Sequence, residues 1–251
     1  MNPRGPRQGM INILRFNRNL YLAAAVVFLA ALAGLVRFDP PLLKLACAAA
    51  LAGSGYFLFI SLGVAHLIYD RSDLYRFHWL DRALGDAVIN SVVFCHSGLD
   101  EVSEGLKAKL QPAAWVTLDH FDAAQMTEPS IQRARQLYPP AAGTIAAAFD
   151  RWPVESGCAD VVFGLLAIHE FRTEDERTAW FHEARRCLKP GGRVVLAEHL
   201  RDPANFIAFG PGFLHFHSAA SWRRCWEAAA FRAVDEFPVT PWIRFFILDP
   251  S

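Results

Sequence analysis

The stretch ADVVFGLLAIHEFRTEDERTAWFHEARRCLKPGGRVVLAE, residues 159–198, decides the fold. Ala159 to Ile168 is apolar almost throughout, the pattern of a strand buried on both faces. Thr173-Glu174-Asp175-Glu176 has the form of a capping box, in which a threonine hydroxyl and a glutamate three residues on satisfy each other's backbone N–H groups. The spacing predicts a helix from there to about Leu188. Lys189-Pro190-Gly191-Gly192 then reads as a turn, and Arg193 to Glu198 as a second buried strand. A buried strand, a helix and another buried strand form the unit of a parallel sheet covered on both faces.

The same alternation extends outward in both directions. Upstream, Ile89 to Cys95 reads as a strand, Asp100 to Leu110 as a helix, and Trp115 to Leu118 as a strand closed by Asp119. Thr127-Glu128-Pro129 opens a helix to about Tyr138, since threonine suits a cap and proline an early helical position. Thr144 to Ala148 is a weak strand. Downstream, Ser221 to Ala230 is a helix, and Arg232 to Phe237 and Trp242 to Leu248 are strands with no helix between them. That ending predicts an antiparallel pair at one sheet edge. The expected class is α/β, a doubly wound, mostly parallel sheet.

The 251 residues hold 25 Lys+Arg against 25 Asp+Glu, 53% are hydrophobic, and mean hydropathy is +0.18. So apolar a chain is not disordered. A balanced charge and a pI near 7.1 exclude a nucleic-acid binder that works through bulk positive charge. The five cysteines show no paired spacing and read as reduced packing residues. The excess hydrophobicity is local: Leu20 to Val36 and Leu45 to Ala65 carry no charge. At 1.5 Å per residue they are about 25 and 31 Å long, close to the ~30 Å hydrocarbon core. Pro40-Pro41 in the short link stops the first helix, so the pair is an antiparallel hairpin whose many alanines and glycines permit close approach. Arg4, Arg7, Arg15 and Arg18 before it, and Arg71, Arg76 and Arg82 after it, outnumber Arg37 and Lys44 in the link. Both ends are therefore expected on the cytoplasmic side of an inner-membrane-type bilayer. A cleaved signal segment and a buried hairpin of a soluble protein are the competing readings of these runs. The expected organisation is a tail over 1–18, a transmembrane hairpin over 19–68, an aromatic juxtamembrane linker over 69–84 and the α/β domain over 85–251. The linker fits either a headgroup-level anchor or an ordinary helix packed on the domain.

Three stretches carry a family resemblance. Phe149 to Phe163 (FDRWPVESGCADVVF) is similar to an "LPF-x-x-x-S-F-D-x-V" pattern, Leu166-Ala167-Ile168-His169-Glu170 to "x-x-L-H-H", and Phe181 to Arg193 to "E-x-x-R-V-L-K-P-G-G". Together they resemble class I S-adenosylmethionine-dependent methyltransferases of the type 11 kind, over about residues 85–249. The resemblance implies a Rossmann-like sheet of seven strands and S-adenosylmethionine as cofactor. Its contacts are then expected at His96, Ser97, Gly98, Asp119, His120, Asp150 and Ala167. In open α/β sheets the ligand sits beyond the strand carboxyl ends, where an acid such as Asp119 accepts from ribose hydroxyls. The sequence departs from the family's "h-D-h-G-x-G-x-G" motif: Phe94 stands at its acid, His96 and Asp100 at two of its glycines, and only Gly98 remains. Ala148 stands where an acid near the adenine is usual, with Asp150 two residues on.

Strand-end histidines and acids supply the candidates for catalysis, His169, Glu170 and His199, since such groups move protons or orient substrate there. Trp79, Phe209, Phe213, His215 and His217 are expected to contact an apolar acceptor. The apolar run Phe206 to Phe216 is open to two readings, a substrate wall or a second membrane-contacting loop. His215-x-His217 with Glu198 and His199 is too weak a pattern for a metal, and none is expected. The expected activity is a membrane-anchored methyltransferase for a small hydrophobic or membrane-resident acceptor, with the lipid bilayer as partner and the hairpin as a surface for self-association. A non-catalytic scaffold on a degenerate fold, and a methyltransferase for a soluble molecule, are the alternatives.

Overall fold

A computed structural model describes residues 4–251; residues 1–3 of the expected tail lie outside the described residues. Seven strands form one sheet: β1 Ser91–His96, β2 Ala114–Asp119, β3 Ile145–Ala146, β4 Ala159–Leu165, β5 Leu188–Glu198, β6 Phe231–Thr240 and β7 Ile243–Pro250. Their order is β3-β2-β1-β4-β5-β7-β6. β1 to β5 pair in parallel, and β7 runs antiparallel to both β5 and β6. The strand order reverses between β1 and β4, which is where such sheets open a ligand crevice.

Successive side chains of a strand point to opposite faces, and the two cores follow that alternation. Val93, Cys95, Val162, Val194 and Leu196 face α8 (Glu174–Cys187) and α10 (Ala219–Ala228), where Trp180, Phe181, Trp222 and Trp226 are buried. Val92, Phe94, Val161, Phe163, Val195 and Phe245 face α5 (Trp79–Leu84) and α6 (Ser103–Leu110). The aromatic linker is thus a cover for this second face, with Ile68, Leu74, Trp79 and Leu80 buried in it. The α8 capping box forms as expected. Lys189-Pro190-Gly191-Gly192 is the bulged start of β5 rather than a separate turn, because Ala159 already pairs with Leu188 before the register shifts at Val161. A Cβ at Gly164, in the middle of β4, would lie 2.8 Å from Ile168 and 3.1 Å from Trp180. Gly164→Ala is expected to cost about 1–3 kcal/mol by overpacking, measurable by chemical denaturation.

Ahead of the sheet, α1 (Gln8–Phe16) is a helix where only a tail was expected. Asp70 accepts from the N–H groups of Gly9 and Met10 at its first turn, at 2.6 and 3.1 Å, and ties α1 to the end of the hairpin. α2 (Arg18–Arg37) and a helix over Pro41–Arg71 are each long and apolar enough to cross a membrane. The second comprises α3 (Pro41–Gly55), a π-turn over Tyr56–Ser61, α4 (Leu62–His66) and another π-turn over Leu67–Arg71. Only 17% and 11% of their most apolar windows are buried, so they are not core helices. They approach closely at the small residues: a Cβ on Gly34 would lie 2.6 Å from the Cys47 sulfur.

Candidate active site

The carboxyl ends of β1, β2, β4 and β5 converge on one edge. After β1 the chain turns at Gly98, whose φ of +88° is left-handed and suits only glycine without strain. A Cβ there would also lie 2.8 Å from the Phe121 ring. Asp119 ends β2, with Oδ1 accepting from the N–H groups of Gly98 (2.9 Å) and Phe121 (3.0 Å). Arg135, from α7 (Pro129–Leu137), donates to its Oδ2. Burial pushes the Asp119 carboxyl up, but His96, Arg135 and the two N–H groups outweigh it and hold it below the usual range.

Several polar atoms here have no partner among the described residues. His96 is 2% exposed with neither ring nitrogen hydrogen-bonded, and the Ser97 hydroxyl, His120 Nε2 and Glu170 Oε2 are likewise buried and free. Burial pushes His96 down, and it pushes His120 down to about 4, although His120 Nδ1 donates to the Ala147 carbonyl at 2.9 Å. Buried polar groups without partners are rare and mark a place where something else binds.

Two cavities open onto this edge. The first, ≈ 160 Å³, is walled by Ser97, Leu99, Glu101, Leu165 to Ala167 and Glu170, and closed by α1 and by Tyr69 and Tyr75. The second, ≈ 400 Å³, is walled by Asp119, His120, Met126, Ala147, Phe149, Glu170 and Phe171. Glu170 is common to both. Of the expected cofactor residues, Ser97, Asp119, His120 and Ala167 line these cavities, and His96 and Gly98 lie just behind them. Asp150 sits on an exposed turn beside neither, and Ala148 lines the second cavity. Phe94, where the family has an acid, is core and stacks on Trp115.

Beyond β4, a 3-10 turn over Ile168–Glu170 carries His169. Glu198, fully buried at the end of β5, accepts through Oε1 from the N–H groups of Ala167, Ile168 and His169 at 3.3, 2.8 and 3.2 Å. Its Oε2 accepts from His169 Nδ1 at 2.6 Å. The Nε2 of His169 then keeps its lone pair, 3.6 Å from Glu170 Oε1 at the cavity rim. Burial lowers the His169 pKa, yet the charge and hydrogen bond of Glu198 and the charge of Glu170 outweigh it, and the net shift is upward. Burial raises Glu170, but His215, His169 and Arg172 together hold it at about 2.

The neighbouring His199 is differently placed. Its Nε2 meets the Tyr69 hydroxyl at 2.9 Å and its Nδ1 donates to the Trp242 carbonyl at 2.8 Å, with burial holding it at about 4. Both nitrogens are therefore committed within the protein. His217 Nε2 lies 2.9 Å from the Arg177 guanidinium, a donor only, and about 3 Å from the carbonyls of His169 and Phe171; burial and the Arg177 charge hold it too at about 4. Trp79 is core, donating to the Leu74 carbonyl and packed on Phe245. Phe209 packs on His199 and Phe216, and Phe213 on Phe206; neither lines a cavity. His215 lies at the rim, 3.4 Å from Glu170 Oε1. His169, Glu170 and His215 could converge on a cation, but the Arg172 guanidinium donates to His215 and opposes positive charge there. Asn12, Phe16, Tyr75 and Glu101 were missed as wall residues; Glu101 accepts from Asn12 at 2.6 Å and from Tyr75 at 3.2 Å. The amphipathic spacing of residues 8–16 was the signal for α1.

Residues 116–196 match the methyltransferase domain family. The matched span runs from β2 into β5. Curated proteins give no match to the chain. Among solved structures, the mitomycin 7-O-methyltransferase MmcR is 14% identical, with a TM-score of 0.57 over 99% of this chain and 74% of that one. Human N-acetylserotonin methyltransferase in complex with S-adenosylmethionine is 13% identical, with a TM-score of 0.56 over 99% and 72%. An S-adenosylmethionine-dependent methyltransferase from Aquifex aeolicus is 13% identical, with a TM-score of 0.52 over 72% and 94%. At these identities the likeness is one of fold. The N-acetylserotonin methyltransferase structure holds S-adenosylmethionine, and the residues present at this crevice fit such a cofactor. The glycine turn, the strand-end carboxylate and the unpartnered atoms of Ser97 and His120 surround the crevice. Arg135 already donates to Oδ2 of Asp119.

Proposed function

We propose that this chain is a membrane-anchored methyltransferase that uses S-adenosylmethionine to methylate a hydroxyl of a small hydrophobic acceptor. One observation carries the reading of the chemistry: His169, held by Glu198, turns its Nε2 toward Glu170, the residue common to both cavities. When bound, the cofactor supplies a methyl group on a positively charged sulfur. Asp119 and the Gly98 turn would hold its ribose end, and Ser97 and Ala167 are on the wall of the first cavity. His169 Nε2 accepts the acceptor's hydroxyl proton as its oxygen forms the new C–O bond and the methyl–sulfur bond breaks. Glu198 stabilises the imidazolium, and α1 with Tyr69 and Tyr75 excludes water from the first cavity. The hairpin's exposed leucines and valines support a bilayer anchor, and the arginine bias supports cytoplasmic ends.

The test is methyl transfer from labelled S-adenosylmethionine into membrane lipid extract by the full chain, with the product identified by mass spectrometry. Label in a methyl ether of an apolar molecule supports the reading; absence of both label transfer and cofactor binding overturns it. Asp119→Asn removes the charge expected to face the ribose. Its cofactor affinity is expected to fall about 10- to 100-fold, the scale of a charged hydrogen bond, by calorimetric titration.

A further inference from the structure

The apolar insert after β5 folds as α9 (Pro203–Phe209) followed by a 3-10 turn over Gly210–His215. No residue of it lines either cavity at the strand ends. Its largest apolar side chains face outward instead: Phe206 is 51% exposed, Ile207 58% and Leu214 58%. Pro211 and Gly212 between them are exposed. Asn205 and Ala208, on the opposite side of α9, are buried against the domain, so the exposed face is the one left to meet another phase. A contiguous apolar patch of this kind on a surface marks an interaction site.

The hairpin indicates what that site meets. The Tyr56 hydroxyl donates to the Phe206 carbonyl at 3.2 Å and also to the Ile207 carbonyl, so α9 is bound to the hairpin helix at the level of Tyr56. Tyr56 lies 15 residues past Pro41, about 22 Å along the helix axis. A hydrocarbon core of ~30 Å measured from the Pro41 end extends beyond that level. The face of α9 therefore stands where the hairpin is still in lipid. At its border Arg201 donates to the carbonyls of Leu214 and Phe216 at 2.7 and 2.8 Å, a cation beside the apolar face of the kind that suits a headgroup level.

We propose that α9 and its 3-10 turn form a second membrane-embedded element, which seats Phe206, Ile207 and Leu214 in the bilayer beside the domain-proximal end of the hairpin. This inference rests on the hairpin reading of the proposed function. It adds that the domain is not tethered above the bilayer but set into it, in one orientation. The hairpin and α9 grip the lipid from two sides of Tyr56.

The test uses the full chain with Cys47→Ser and Cys158→Ser, reconstituted in phosphatidylcholine nanodiscs. Spin labels are attached singly at Ile207→Cys, at Leu45→Cys on the hairpin, and at Val234→Cys on β6, all exposed positions. Collision rates with oxygen, which partitions into lipid, are compared with those of a water-soluble nickel chelate. The expected result is oxygen access and nickel exclusion at 45 and 207, with the reverse at 234. Nickel access at 207 with lipid contact at 45 overturns the inference and leaves the hairpin reading intact. Exclusion of both reagents at 207 places protein there, such as a second copy of the chain, and also overturns it. Nickel access at 45 overturns the hairpin reading and the inference together.

Discussion

Replacing His169 by glutamine is expected to lower the turnover of a hydroxyl acceptor by about 10²–10⁴-fold, with little change in cofactor affinity. The effect comes from the tautomer. Glu198 accepts the Nδ1 proton, so the only lone pair on the ring is at Nε2, facing Glu170 and the cavity rim. Glutamine has similar reach but cannot take up a proton. Initial rates of methyl transfer, with cofactor affinity from calorimetry, separate the two effects, and an undiminished rate would show that the acceptor's proton leaves by another route. The pH dependence has a definite sign. The base works only when neutral, and the net pull of Glu198 and Glu170 raises His169 above its ordinary value of 6.5. The acid limb of kcat/KM is therefore expected above pH 6.5, with activity lost as pH falls through it. In Glu198→Gln the raising charge is gone while burial remains, so that limb moves to lower pH even as the maximal rate drops.

Removing Glu198 altogether has the second large consequence, and it falls on stability. One carboxylate oxygen satisfies three successive backbone N–H groups, and the other holds the His169 ring, all of it buried. Glu198→Ala leaves these donors without partners in a site closed to water. A loss of about 3–5 kcal/mol is expected, read from the midpoint of chemical denaturation. Glu198→Gln keeps one carbonyl oxygen for the N–H groups and is expected to lose clearly less. If the alanine variant melts with the wild-type protein, the turn after β4 is held by its packing and not by this carboxylate.

The two positions at the end of β5 show what the sequence left open in the site. Glu198 and His199 are adjacent, both titratable and both at a strand end, where catalytic groups gather. Side chains alternate across a sheet, so only one of them can face His169, and the register that decides which is set by the pairing of β5 with β4 and β7. Glu198 became the partner of His169, and His199 was tied to Tyr69 and Trp242. Trp79 was misplaced for a similar reason. Its neighbours looked interfacial, but Phe163 and Phe245 lie far along the chain, and their shared face appears only once the sheet is assembled. α1 was unreadable as a wall because Asn12 meets Glu101 across 89 residues of chain.

Local rules were enough for the elements themselves. Strand runs, the Thr173 to Glu176 capping box, and the helix-free ending that becomes the β6–β7 pair are written in neighbouring residues, because propensity, capping and periodicity act over a few positions. The two apolar runs and their small residues likewise declared a close-packed hairpin, and residues 149–193 already resembled methyltransferases, the domain family whose model residues 116–196 match. What the tertiary structure alone decided is which of the polar groups stay unsatisfied. Among the described residues His96, Ser97, His120 and Glu170 keep free buried atoms, whereas the ring nitrogens of His199 and the Nε2 of His217 meet groups far along the chain, Tyr69 and Trp242 for the first and Arg177 for the second. A hydrogen bond depends on a fit of about 3 Å between groups, and for partners tens of residues apart that distance exists only in the assembled fold.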